Sequence, residues 1–277
     1  MLLNPEGTTM SAFRFDGFRA VVTGGGTGIG RATALALAEQ GAKTVYAVGR
    51  RPEPLEKTAA GHGAIVPVTA DLRTDAGAAA VEEAVRAGSG RLDLLVHNAG
   101  VWHQTALADL AMEDVQDVFE TNVLAPVRLT ARLLPLLASP GASLVLVSSV
   151  MGHLPGPGQS GYAASKAALD SLTRSWAKEL APLGIRVNAI APGAVETEAL
   201  SPAALGVTEE QFNLVKAKKA KLFPLGRYGR LEDVTRWITH LADPAASWLT
   251  GQVLTVDGGW DLGAPAAATT TEGIVTS

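Results

Sequence analysis

Short, continuously apolar runs separated by longer amphipathic stretches are what most restricts the fold open to this chain. The runs Arg19–Thr23, Thr44–Val48, Ala64–Val68, Leu92–His97, Ser143–Ser148, Arg186–Ile190 and Gln252–Val256 have the length of strands. In Leu144-Val145-Leu146-Val147 the apolar side chains do not alternate with polar ones, so both faces of that strand need cover, as in a parallel sheet flanked by helices. The intervening stretches Gly30–Gln40, Thr74–Ala87, Glu113–Leu137, Gly161–Leu180 and Leu231–Ala242 read as helices, with Gly41 and Asp243-Pro244 as stop signals. Alternating strands and helices predict an α/β class: one doubly wound domain, a seven-stranded parallel sheet with helices on both faces.

The 277 residues suffice for one such domain, expected over residues 13–262. No Pro/Gly/Ser-rich or charged linker divides the chain into two lobes, and no internal repeat is present. The ends, residues 1–12 and the Ala/Thr-rich 263–277, are expected to be a flexible extension and a flexible tail. Cysteine is absent, which excludes disulfides, thiolate metal sites and a cysteine nucleophile. The 23 Lys and Arg against 27 Asp and Glu leave a net charge of −4, which argues against binding to nucleic acid or an anionic membrane. Five scattered histidines without a His-x-x-x-His pair imply no metal. No apolar run approaches the ~18–20 residues needed to span a bilayer. Met1–Ser11 also lacks a basic stretch followed by an apolar one, so a soluble, cytoplasmic protein is expected.

The first strand runs into Thr23-Gly24-Gly25-Gly26-Thr27-Gly28-Ile29-Gly30, after which a helix opens. Such a cluster fits a plain tight turn, but a strand before and a helix after favour a dinucleotide site. Glycines let a diphosphate approach the helix N-terminus, where free N–H groups and the helix dipole attract anions. The spacing Gly-x-x-x-Gly-x-Gly departs from Gly-x-Gly-x-x-Gly. Further along stand Asp71-Leu72, Asn98-Ala99-Gly100, Asn122, Ser149, Tyr162-Ala-Ala-Ser-Lys166, Pro192-Gly193 with Val195 and Thr197, and Thr250-Gly251-Gln252 leading to Asp257-Gly258-Gly259. In this order, with Ser149 thirteen residues before Tyr162, these motifs resemble the short-chain dehydrogenase/reductase family over about Phe13 to Leu262.

Tyr162 and Lys166, four apart on a helix, share one face. A phenol near pKa 10 is a poor base at neutral pH. An adjacent ammonium and an oxidised nicotinamide are expected to lower it toward 7, which takes roughly 4 kcal/mol. The resemblance implies a Rossmann-type fold with Tyr162 as general acid in reduction and base in oxidation. It implies Lys166 on the nicotinamide ribose, Ser149 on the substrate carbonyl, and Asn122 holding a water that relays protons to the lysine. Ser148 is the competing serine. The turn residues Gly24, Thr27, Gly28, Ile29 and Gly30 would hold the diphosphate. Asp71 and Leu72 would receive the adenine, Asn98, Ala99 and Gly100 would flank the adenosine, and Pro192, Gly193, Val195 and Thr197 would position the carboxamide. On residue type alone, Asp71 fits equally a helix-terminal acid, Asn98 a turn cap, and His97 a structural histidine without chemistry.

The second strand ends Val48-Gly49-Arg50-Arg51, with no acid where one would bind a ribose 2′-hydroxyl. Arg50 there suits a 2′-phosphate, which favours NADP(H) over NAD(H), the alternative being that both arginines are solvated loop charges. Residues 198–225, irregular or marginally helical with the basic run Lys216–Lys221, match the family's substrate lid, opposite Gly152–Gly158 and Trp102-His103. Together these imply NADPH-dependent reduction of a small-molecule ketone, of polyketide or acyl type, with a carrier-protein or CoA arm as a partner for the basic run. Oxidation of a secondary alcohol or sugar is the nearest enzymatic alternative, and a catalytically silent cofactor sensor or scaffold the non-enzymatic one. The family also implies a homo-oligomer, a tetramer or dimer, assembled through the two long helices and the C-terminal strand.

Overall fold

The computed structural model describes residues 14–263. The expected extension at 1–12 lies outside them, as does the expected tail apart from Gly263. Seven parallel strands form one sheet in the order β3-β2-β1-β4-β5-β6-β7. They are β1 Arg19–Thr23, β2 Thr44–Gly49, β3 Ile65–Thr69, β4 Leu94–His97, β5 Ser143–Val147, β6 Arg186–Pro192 and β7 Val253–Val256. Every residue of β5 is buried, as its unbroken apolar run requires. Alternate residues along the strands feed two separate cores. Ala20, Val22, Leu94, Val96 and Val145 pack with Ala34 and Leu37 of α1 (Gly28–Glu39) and Val234, Ile238 and Leu241 of α9 (Leu231–Ala242). Val21, Leu95, Leu144 and Leu146 pack on the opposite face with Val81 and Val85 of α3 (Asp75–Gly88), Leu129 and Leu133 of α5 (Ala125–Leu133), and Leu169 and Ala177 of α6 (Ser160–Leu180).

From β1 the chain lays down β2 and β3 on one side, then returns to place β4 on the other. The crossovers therefore diverge above the carboxyl ends of β1 and β4 and leave a crevice there, the place where open α/β sheets take ligands. A second helix, α2 (Pro52–Ala59), follows Arg51 and is not among those read from the sequence. Pro52 stands in the first turn, where its missing N–H removes no helical bond.

The single helix expected over Glu113–Leu137 is instead composite. It begins as α4 (Met112–Phe119), widens into a π turn over Glu120–Leu124, continues as α5, and tightens into a 3-10 turn at Leu134–Leu136. Residues 198–225 are also more ordered than expected, with α7 (Pro202–Leu205) and α8 (Glu209–Ala220). A capping box starts α8: Thr208 Oγ1 accepts from Gln211 N at 3.2 Å, and Gln211 Oε1 accepts from Thr208 N at 3.0 Å.

Candidate active site

Two adjoining cavities run along the carboxyl edge of the sheet and share Thr27, Gly100 and Val101. The larger, about 370 Å³, is lined by Ser149, Tyr162, Lys166, Gly193, Thr197 and Trp260 among others. The smaller, about 200 Å³, is bordered by Gly49, Arg50, Asp71, Leu72 and Ala99. All the sequence-predicted site residues but Asn122 and Gly30 line one or the other.

Those two stand directly behind the lining. A Cβ on Gly30 would run into Gly24 O and the Asn98 amide, and one on Gly24 would meet Asn98 Nδ2 at 2.7 Å. Gly24 also adopts φ +67°, a left-handed backbone that favours glycine. Asn98 Nδ2 donates to Thr23 O at 2.9 Å, while Thr23 Oγ1 accepts from Asn98 N at 2.9 Å and Ala99 N at 3.0 Å. Thr23, not singled out from the sequence, thus joins the ends of β1 and β4 beneath the glycine turn. Its position, last in an apolar strand and just before the glycines, was the only signal. Thr27 precedes α1 without capping it, which leaves the first N–H groups available to other acceptors.

Ser149 and Ser148 face different ways. Ser148 Oγ is buried and donates to Lys166 O at 3.2 Å, tying the end of β5 to α6. Ser149 Oγ accepts from Met151 N at 3.2 Å and shares the larger cavity with Tyr162. Lys166 is 4% exposed; its Nζ donates to Val147 O at 2.8 Å and lies 5.5 Å from the Tyr162 ring centre. Burial lowers the Lys166 ammonium to about 8, with Asp170 partly opposing it. Burial pushes the Tyr162 phenol above its ordinary value, and Ser149 pulls partly back. The expected lowering of the phenol by its neighbour is therefore not a property of the protein alone, because Lys166 sits over the ring and is anchored to the strand.

Asn122 lies in the π turn, fully buried. Its Oδ1 accepts from Val101 N at 2.8 Å, and its Nδ2 donates to Val101 O at 2.9 Å and Ser165 Oγ at 3.0 Å. Both amide hydrogens are committed. The side chain thus braces the Asn98–Val101 turn against α6. Asp71 is likewise engaged. Arg73 Nη2 and Nε donate to its carboxylate at 2.7 to 3.1 Å, and Arg73 Nη1 reaches Asp117 at 2.9 Å. These bonds hold the Asp71 carboxyl below its usual range. The Arg73 clamp was not foreseen, since it depends on Asp117 from α4.

His97 is buried, with Nε2 at 2.7 Å from Thr130 Oγ1, and burial lowers it to about 3, so it is neutral. Arg50 and Arg51 are exposed at the mouth of the smaller cavity and make no ion pair with the described residues. Among the described residues no group of three His, Asp or Glu side chains could hold a metal, and no helix is long and apolar enough to cross a membrane.

Residues 24–261 match the family model described as enoyl-(acyl carrier protein) reductase. The chain belongs to the short-chain dehydrogenase/reductase family. A 3-oxoacyl-[acyl-carrier-protein] reductase of Thermotoga maritima is 38% identical over 251 residues, covering 89% of this chain and 98% of the relative. The Escherichia coli protein of the same name is 33% identical over 250 residues, 88% of this chain and 98% of the relative. The crystal structure of L-sorbose reductase from Gluconobacter frateurii, complexed with NADPH and L-sorbose, is 29% identical with a TM-score of 0.85, covering 90% and 98%. This short-chain dehydrogenase/reductase is an NAD(P)-dependent oxidoreductase of C=O and CH–OH groups, and a ketone reductase.

Proposed function

We propose that this enzyme reduces a ketone with NADPH, Tyr162 giving its proton to the carbonyl oxygen. The observation that carries the reading is the joining of Ser149, Tyr162 and Lys166 in one cavity that continues past Gly28 to Arg50. The glycine cradle and the uncapped start of α1 fit a diphosphate, and the absence of a carboxylate at Gly49 fits a 2′-phosphate met by Arg50. Gly24, Thr27, Gly28, Ile29 and Gly30 would hold the diphosphate, and Asp71 and Leu72 the adenine. Asn98, Ala99 and Gly100 would flank the adenosine, with Lys166 on the ribose and Pro192, Gly193, Val195 and Thr197 at the carboxamide. The reduced nicotinamide, when bound, supplies the hydride.

Ser149 and Tyr162, lining the same cavity, would form a pair of donors for one carbonyl oxygen. With its phenol held protonated, Tyr162 is an acid at neutral pH, as reduction requires. Trp102, Met151, Leu200 and Trp260 give the same cavity an apolar wall, which suits a hydrocarbon-bearing ketone of acyl or polyketide type. Residues 198–225 would cover it. α4, the π turn and α5 expose Met112, Leu124 and Val127, and self-association through that surface and α6 would make a dimer or tetramer, readable by light scattering.

The test is consumption of NADPH, followed by its absorbance, with a panel of simple ketones and 3-oxoacyl thioesters. Tyr162→Phe is expected to lose about 10²- to 10⁴-fold in turnover while still binding NADPH. Retained turnover in that variant would refute the assignment of the proton donor.

A further inference from the structure

The N-terminus of α1 already has an acceptor. Gly28 N, the first N–H of the helix, donates to Glu198 Oε2 at 2.9 Å across 170 residues of sequence. The other oxygen, Glu198 Oε1, lies 4.0 Å from Arg31 Nη1, and Arg31 Nε is buried without a partner. Thr197 packs beside it, its Cγ2 3.5 Å from where a Gly28 Cβ would stand. A carboxylate here satisfies the same N–H and helix dipole that a phosphate would. Two anions do not share that position. Glu198 opens the segment covering the cavity, and two residues earlier Glu196 Oε1 accepts from Lys216 Nζ of α8 at 2.8 Å.

We propose that Glu198 is an internal competitor for the cofactor's diphosphate: it latches residues 198–225 onto α1 in the free enzyme, and the dinucleotide binds by displacing it. The inference rests on the diphosphate position proposed above and goes beyond it, because it assigns the chain a residue that sets cofactor affinity from the lid side. If the latched form holds about nine-tenths of the free molecules, apparent affinity is reduced about tenfold. Glu198 is a positioning residue here, not a catalytic one. Its side chain is 55% exposed, so its replacement leaves the core intact.

Titration of the cofactor-free enzyme with NADPH and with NADH, followed by nicotinamide fluorescence, tests this in Glu198→Gln and Glu198→Ala. Both variants are expected to bind both dinucleotides about tenfold more tightly, by the same factor, since the diphosphate is common to the two. Trypsin, without cofactor, is expected to cut after the exposed Lys218 and Lys219 of α8 faster in the variants than in the wild type. Affinity that is unchanged or weaker, or a wild-type cleavage rate, overturns the latch. The ratio of NADPH to NADH affinity reports separately on Arg50, so an error in the cofactor preference would show without affecting this result.

Discussion

His97 makes the stability of this enzyme fall on mild acidification by an amount that the structure sets. The ring is 3% exposed, hydrogen-bonded to Thr130 Oγ1 at 2.7 Å and 6.3 Å from the Trp176 ring, with burial lowering it to about 3. In the unfolded chain the same imidazole titrates near 6.5. As the pH falls through 6.5 the unfolded state takes up a proton that the folded state refuses. The stability present above 6.5 is therefore lost, by about 1.36 kcal/mol per pH unit, until about pH 3. Between about pH 7.5 and about pH 5 the loss from this residue comes to about 2 kcal/mol. Any folded value below about 4 gives the same figure, because the unfolded titration dominates the interval. Carboxylates and the other histidines titrate as well, so the measurement is a difference. Urea unfolding of the wild type and His97→Asn at both pH values cancels the shared groups, whatever packing offset the substitution brings. The stability gap between the two proteins is expected to move by about 2 kcal/mol in favour of the variant at the lower pH. A gap that stays constant with pH would mean that His97 accepts a proton inside the fold, which would refute its burial as a neutral ring.

The remaining expectations concern the cleft. Arg50→Asp is expected to raise the Michaelis constant for NADPH far more than that for NADH, and equal small changes would remove Arg50 from 2′-phosphate recognition. The pH profile of kcat/KM is expected to fall above about 8, not above 10, because the buried Lys166 loses its ammonium there; a flat profile to pH 10 would count against a charged Lys166 in turnover. Gly30→Ala is expected to destabilise the fold by about 1–3 kcal/mol and to weaken dinucleotide binding. Its methyl would press on Gly24 O and the Asn98 amide, so wild-type melting and affinity would show that the turn yields freely.

How much of this was legible in the chain depends on the range of the interaction. Strand β1 has the bounds read from its apolar run, and central strands such as β4 and β5 were legible because burial on both faces leaves no polar alternation to confuse them. The Ser149, Tyr162 and Lys166 positions followed from ordered local motifs. The π turn at Asn122 did not, because what sustains it is a set of bonds to the distant Val101 and Ser165. Helix α2, whose Pro52 and Pro54 stand in its first turn, was not read from the sequence. Helix α8 had a readable start in Thr208-Glu-Glu-Gln211, but its polar faces gave no core-facing stripe. The Arg73–Asp117 pair and the Glu198–Gly28 bond join distant segments, and no local pattern announces either.

The two titrating groups of the site move in opposite directions for one reason. Tyr162 is raised and Lys166 lowered because the same desolvated cleft disfavours the phenolate of one and the ammonium of the other. Spacing on a helix shows that two side chains share a face, but not which atoms meet. Here the ammonium is drawn to Val147 O and stands against the ring. The protein by itself therefore keeps the phenol protonated in the cavity it shares with Ser149, where it would give a proton to a bound oxygen. Oxidation of an alcohol would need the opposite state, a phenolate, which burial disfavours and the nearby Lys166 ammonium favours. Burial of the phenol suits it to give a proton in carbonyl reduction, and the reverse reaction would rely on positive charge from Lys166 and from the oxidised nicotinamide.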